Sequence, residues 1–319
     1  MKKLLFVGLM LMCVNELMAQ TNDTITIYYD AEWKKIDSKE GASFYGKVFK
    51  GGDGLWEARD YYLDGVLQMK GTYLDELRTK KQGAFEYYHE NEQLSARGVY
   101  EDGEKEGLWT YWYENGQLKS KGSNIKGNAN GVWIYWDETG ELKSKGSSIK
   151  GDENGVWTYW YEDGKIRRES NFKGGKFDGE LRTYWENGTL KRHDVYESGK
   201  LKKGEVWDSL GKEEAYYDFM IMPEFKGGER ELMKFIYENI KYPSIARENG
   251  IEGQVVVWFI VEKDGTISNI KIKRNIGGNC GKEAVRIVKM MPKWKPGMED
   301  GKPVRVSFNL PVRFKLTGP

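Results

Sequence analysis

Proline does not occur before Pro223 in this 319-residue chain; all seven prolines lie from there onward. Cysteine and histidine are scarce throughout, limited to Cys13, Cys280, His89 and His193. A zinc or haem site built from these residue types has no ligands to draw on, so neither metal nor cofactor is expected. No Gly-rich phosphate loop follows a strand, and Cys280 has no histidine near it in sequence, so the chain is not expected to be an enzyme. The one His/Asp neighbour pair, His193-Asp194, falls at a repeat position and reads as surface. Long apolar runs are also lacking. The longest, residues 4–14, is halted by Asn15 and Glu16, well short of the ~20 residues that span a bilayer. Lys2 and Lys3 precede it and Leu17-Met18-Ala19 follows, the layout of a secretory signal over residues 1–19, cleaved after Ala19. The alternative is an uncleaved N-terminus anchored in the inner membrane. Met12 stands where a lipoprotein signal has a small residue before its cysteine. Cys280 is then the single thiol of the exported chain, and no internal disulfide can form.

Glycine and aromatics are plentiful. The 39 glycines follow no three-residue period, and aromatics make up 14% of the chain, which together point to many tight turns and β-structure. Ten of the twelve tryptophans precede Pro223. Residues 20–222 carry 30 Lys and Arg against 37 Asp and Glu; residues 223–319 carry 18 against 11. The balanced total thus conceals halves of −7 and +7, and two composition rules meet near residue 222.

Gly83, Gly107, Gly131, Gly155 and Gly179 recur at one constant step and align in a single column. Nine positions further on, Glu92, Gly116, Gly140, Gly164 and Gly188 form a second, preceded by Tyr-Trp-Tyr-Glu-Asn or close variants. Such self-similarity means a repeat array. Each unit reads as a strand alternating Trp109, Tyr111 and Tyr113 with Thr110 and Trp112, then a turn at Asn115-Gly116, then a second strand around Leu118. Asn-Gly suits a two-residue type I′ turn, whose central residues both take positive φ. The glycine, Trp/Tyr and Glu-Asn-Gly pattern resembles the MORN-type repeat in its variant form. That resemblance implies a mainly β array of stacked hairpins over residues 55–215, behind an N-terminal cap region at 20–54; the Trp and Tyr columns are expected as core, the alternative being a carbohydrate or ligand platform.

From Gly228 the period changes. Leu232, Phe235, Ile236 and Ile240 recur at helical spacing until Tyr242-Pro243 breaks the helix. Residues 254–262 put Val255, Val257, Phe259 and Val261 on one strand face and Val256, Trp258 and Ile260 on the other, both apolar. Asp264-Gly265 turns the chain into a partner strand by the same hairpin logic. A helix with Ala284, Ile287, Val288 and Met291 on one stripe follows, then a last strand alternating Val304, Val306, Phe308 and Leu310. Pro311 cannot donate to a ladder, so that strand is an edge or carries a bulge.

Phe225-Lys226-Gly227-Gly228, Tyr242-Pro243, the run from Gly250 to Val255, Asp264-Gly265 and Met291-Pro-Lys-Trp-Lys-Pro-Gly297 together resemble the TonB C-terminal domain over residues 222–319. The resemblance implies an α+β domain with a three-stranded antiparallel sheet and helices. It also implies a role: docking on an outer-membrane transporter or other envelope partner by strand addition, with energy-coupled transport as its extension. The last strand would supply the edge through Val304, Arg305, Val306, Ser307, Phe308, Asn309 and Leu310, with Tyr242 and Pro243 near its docking end. The chain departs from an energy transducer in lacking a Pro-rich spacer before Pro223. The expectation is an exported envelope protein of a Gram-negative bacterium, able to form a homodimer through its edges and not directed at nucleic acid. In the alternative, the repeats bind the partner and the C-terminal domain anchors or dimerises the chain.

Overall fold

The computed structural model describes residues 24–316, so the leader expected at residues 1–19 lies outside the described residues. The chain divides into two compact units between Glu214 and Ala215.

The first unit is, among the described residues, one antiparallel sheet of seventeen strands. Ile25–Tyr29 pairs with Lys35–Ile36 and with Phe44–Lys50, and from there each strand pairs with the next in sequence down to Glu213–Glu214. The residues expected as an N-terminal cap region therefore contribute strands to the sheet. Strand alternation places one side chain in two on the packed face: Ala96, Gly98 and Tyr100 are buried in Leu94–Glu101 while Arg97 and Val99 are exposed. Phe85, Trp109, Trp133 and Trp157 form the core of that face, so the tryptophan column is structural.

Three of these tryptophans each lie over a glycine. A Cβ added at Gly98, Gly122 or Gly146 would collide with the ring of Trp109, Trp133 or Trp157 respectively. Each ring also donates its indole N–H to the strand it covers: Trp109 to Val99 O (3.1 Å), Trp133 to Ser123 O (3.1 Å) and Trp157 to Ser147 O (2.9 Å). This glycine column keeps the repeat step and continues as Ser170 and Asp194. Asp194 consequently faces the packed side and is fully buried in an ion pair with Arg192 (3.0 Å). The surface reading of His193-Asp194 is corrected for Asp194, because column position decides the face; His193 stays half-buried.

The turns also differ from expectation. At Asn115-Gly116 only Gly116 has positive φ (81°). Gly116 N–H donates to Tyr113 O (3.0 Å) and Tyr113 N–H to Gln117 O (2.9 Å), which is a three-residue loop ending in a left-handed glycine and not a type I′ turn. Asn115 is chosen for its side chain: Oδ1 accepts from Gln117 N–H (3.0 Å), and Nδ2 donates to Glu138 O in the next unit (2.6 Å). The type I′ turns close the opposite end of the strands. There Asp102-Gly103, Lys126-Gly127 and Lys150-Gly151 pair positive φ at both positions. Asp264-Gly265 repeats the three-residue form, with positive φ at Gly265 alone.

The second unit holds helices α1 (Gly228–Asn239), α2 (Ser244–Glu248) and α3 (Cys280–Met290). Its three-stranded antiparallel sheet runs Ile267–Arg274, Gly253–Val261, Val306–Phe314. Val255, Val257, Phe259 and Val261 are buried in one core with Ala284, Ile287 and Val288 of α3. The opposite face is less covered. Val256, Trp258 and Ile260 stay half-buried, with Lys271 and Lys273 lying 6.0 and 5.7 Å from the Trp258 ring. Trp294 closes the core edge-on against Phe225, Phe259 and Phe308 (5.7, 5.6 and 5.0 Å). Its backbone N–H donates to Gly265 O (2.9 Å), and a Cβ at Gly265 would collide with the Trp294 carbonyl. Hairpin turn and aromatic plug are thereby tied together.

Candidate docking edge

Val306–Phe314 pairs with Gly253–Val261 through nine unbroken positions, from Val306↔Val261 to Phe314↔Gly253. Its other side carries no strand among the described residues. Which residues face outward follows from one hydrogen bond. Glu262 N–H donates to Thr266 O (2.8 Å), across the hairpin and toward the Ile267–Arg274 strand. The N–H and C=O of one residue point the same way and alternate along a strand, so Val261, Phe259, Val257 and Val255 point toward the last strand. Their partners Val306, Phe308, Leu310 and Val312 point back. Ser307, Asn309, Pro311 and Arg313 therefore present their backbone groups to the open side. Pro311 sits where its missing N–H costs no ladder bond.

The sheet's other edge is blunted. Ile267–Arg274 meets its neighbour with two register breaks, places Asn269 at positive φ (53°), and ends in Lys271, Lys273 and Arg274. Bulges and lysines are the usual devices that keep an edge from recruiting a strand. The sheet thus has one regular, unpaired edge along Val306–Phe314 and one broken, cationic edge along Ile267–Arg274.

Two of the expected edge residues do not belong to it. Val304 lies in Lys302–Val304, which pairs with Gly297–Glu299 in a separate small sheet completed by Met220–Ile221. Arg305 is the bend between the sheets: its Nε and Nη2 hold Glu262 Oε2 and Oε1 (2.7 and 3.0 Å), keeping that carboxyl below its ordinary range. Val306, Ser307, Phe308, Asn309 and Leu310 are brought together in the edge strand. Tyr242 lies at its far end, with its ring 5.7 Å edge-on to Phe314 and its hydroxyl donating to Ile251 O (2.6 Å). Pro243 caps α2 beside it. Arg313 was not expected at the site; stepping by two from Pro311, the residue that cannot donate, is the sequence signal that finds it.

Residues 238–316 match the family model of the Gram-negative bacterial TonB protein C-terminal, and residues 105–124, 129–150, 153–173 and 177–198 match that of the MORN repeat variant. Protein TonB of Vibrio cholerae serotype O1 is 35% identical over 82 residues, which are 24% of this chain and 32% of that protein. The chain thus spans about a third of the length of that relative. The solution structure of the Helicobacter pylori TonB C-terminal domain is 25% identical, with a TM-score of 0.23 over 28% of this chain and 95% of that one. The chain carries a TonB-type C-terminal domain behind an array of MORN repeat variants.

Proposed function

We propose that this is a non-enzymatic cell-envelope protein whose C-terminal domain docks on outer-membrane transporters by taking an extended segment of the partner as a fourth strand along Val306–Phe314. The observation that carries this reading is the asymmetry of the two edges: one regular and unpaired, the other bulged and lysine-rich. In strand addition, main-chain bonds supply affinity, and alternate side chains supply specificity. The outward groups of Ser307, Asn309 and Arg313 would make those bonds, and the Pro311 carbonyl would accept one more. Tyr242 and Pro243 would meet the segment where it passes Phe314. Among the described residues no helix is long and apolar enough to cross a membrane. Export to the periplasm rests on the leader reading, and N-terminal sequencing of the mature protein tests it: a start at Gln20 supports a released protein, and retention of Met1 supports an inner-membrane anchor.

The docking test uses synthetic peptides covering the extended N-terminal segments of the producing organism's transporters. Ser307→Pro and Asn309→Pro each remove an outward donor that the sheet does not use, so both variants should keep their circular dichroism and lose binding. Alanine at either position keeps the N–H and should have a mild effect. A segment that binds both folded proline variants at wild-type affinity would show that this edge is not the docking site.

A further inference from the structure

The face of the repeat sheet opposite the tryptophan column has a charge pattern that the docking edge does not explain. Strands Leu118–Ile125, Asn128–Trp136 and Leu142–Ile149 contain four lysines and no Asp or Glu. Ser120, Gly122 and Asn124 are buried on the packed face, so Lys119, Lys121 and Ile125 point the other way; Lys143, Lys145 and Ile149 repeat the arrangement one period on. Leu108, Val132 and Val156, each next to a buried Trp, share this outer face. Leu108, Ile125, Val132, Ile149 and Val156 are between 50 and 61% exposed and form an aliphatic band running across five neighbouring strands. An apolar strip of this kind, rimmed by charge, marks an interaction surface.

The lysines concentrate on one side of the band. Lys119, Lys121, Lys143 and Lys145 lie toward the three-residue turns, whereas at the other end Lys126 and Lys150 of the type I′ turns alternate with Glu104, Glu106 and Asp152, which share the outer face through their pairing with Glu101, Val99 and Ile149. At that end the Glu106 carboxylate accepts from Lys126 N–H (2.9 Å). Lys121 and Lys126 are separated by five strand positions, about 16 Å, and the five strands span about 19 Å. An α-helix is about 10–12 Å across and covers about 19 Å in about 13 residues, so one helix fits lengthwise on the band beside the row of Lys119, Lys121, Lys143 and Lys145.

We propose that this face binds an acidic amphipathic helix of a partner protein, with its apolar stripe on Leu108, Val132 and Val156 and its carboxylates toward the row of Lys119, Lys121, Lys143 and Lys145. The proposal does not depend on the docking edge. A bounded strip suits a linear ligand better than a lipid surface. Glu86 on one side, and Glu169 and Glu180 on the other, end the basic region after a few strands, and a plane of anionic headgroups would run over them.

The test uses the full chain and a fluorescein-labelled synthetic helix of roughly five turns, about 18 residues. The peptide carries leucines at i, i+3, i+4 and i+7 and glutamates along one flank of that stripe, and binding is followed by anisotropy. Binding should weaken at least tenfold in the double variant Lys121→Glu/Lys145→Glu and in Val132→Ser/Val156→Ser. It should also weaken with added salt and be unchanged in Asn309→Pro. All these side chains are exposed, so an unchanged melting temperature verifies the fold, and Lys119→Ala/Lys143→Ala serves as a second charge variant. Failure of the peptide to bind, or binding that none of the array variants weakens, overturns the proposal. Equal binding of a scrambled peptide with the same composition also overturns it, since the apolar band would then play no part. A chain that ignores the peptide but sediments with phosphatidylglycerol vesicles in a Lys121- and Lys145-dependent way would reassign the face to lipid.

Discussion

Gly122 and Trp133 show how one residue sets the cost of another. The Trp133 ring occupies the volume that a side chain at 122 would take, so Gly122→Ala should destabilise the array by about 2 kcal/mol through overpacking. Trp133→Ala should cost about 3 kcal/mol or more through the cavity it leaves. Because the two act on one contact, the double variant should be less destabilised than the sum of the single changes, which urea titration of the four proteins measures. Lys81 provides a pH readout. Its ammonium lies 4.7 to 5.2 Å from the Phe85, Tyr87 and Tyr100 rings, and burial, with Arg78 nearby, brings its pKa down from 10.5 to about 8. Between pH 8 and 10.5 the unfolded chain holds the proton that the folded chain has released. Array stability should therefore rise from pH 8 toward 10, and the penalty is present in full below pH 8. In Lys81→Met the rise should vanish from the melting temperature profile.

At the scale of elements, the two kinds of turn are held differently. The type I′ turns take positive φ at two adjacent positions and are tied by backbone to the preceding unit, the Gly103, Gly127 and Gly151 N–H groups donating to Lys81, Lys105 and Ala129 O (2.9 Å each). The Asn turns are tied to the following unit by a side chain instead. Asn91, Asn115 and Asn187 each donate to a carbonyl of the following turn (2.6, 2.6 and 2.9 Å), so loss of the Asn115 amide should loosen two units together. Amide exchange at Gln117 and Glu141 in Asn115→Ala checks this: acceleration at Gln117 alone would mean that the side-chain bridge does not couple the units. In the C-terminal sheet, Phe308 points its N–H inward. Phe308→Pro should unfold the domain that Ser307→Pro leaves intact, and the contrast between adjacent prolines tests the assigned strand parity.

Across the array as a whole, organisation is one-dimensional: from Trp56–Tyr62 onward each strand pairs only with its sequence neighbours. Stability is then close to a sum of unit and nearest-neighbour terms. Removing residues 126–149, one full period, joins Ile125 to Lys150-Gly151, which is already the right turn. The shortened chain should fold and melt cooperatively. Removing half a period instead would take out a single strand, reverse the direction of all that follow and abolish the transition. Circular dichroism melts of the two deletions decide the matter. The second unit keeps its own core, drawn from residues between Phe225 and Phe314 only.

Period and composition alone were enough to show the repeat array, the Trp column, the C-terminal helices and hairpin, and a last strand at an edge, because each depends on local alternation and on where Gly and Pro are tolerated. The type of each turn was not legible. Asn-Gly serves two loop geometries equally well, and the three-residue form recurs at Thr139-Gly140 and Asp264-Gly265, so the residue pair does not select it and the register of the flanking strands does. The end of the edge strand was also hidden. Val304 continues the apolar alternation of Val306 and Phe308, and only pairing with Gly297 and the clamp of Arg305 on Glu262 show where one sheet stops and the other begins. The glycine column under the tryptophans was present in the sequence at the same period, but its meaning required knowing which strand each ring covers. Sequence patterning determined which side chains alternate and where the chain turns; the tertiary structure decided which face is packed and which edge is left open, because both depend on partners brought together from distant positions.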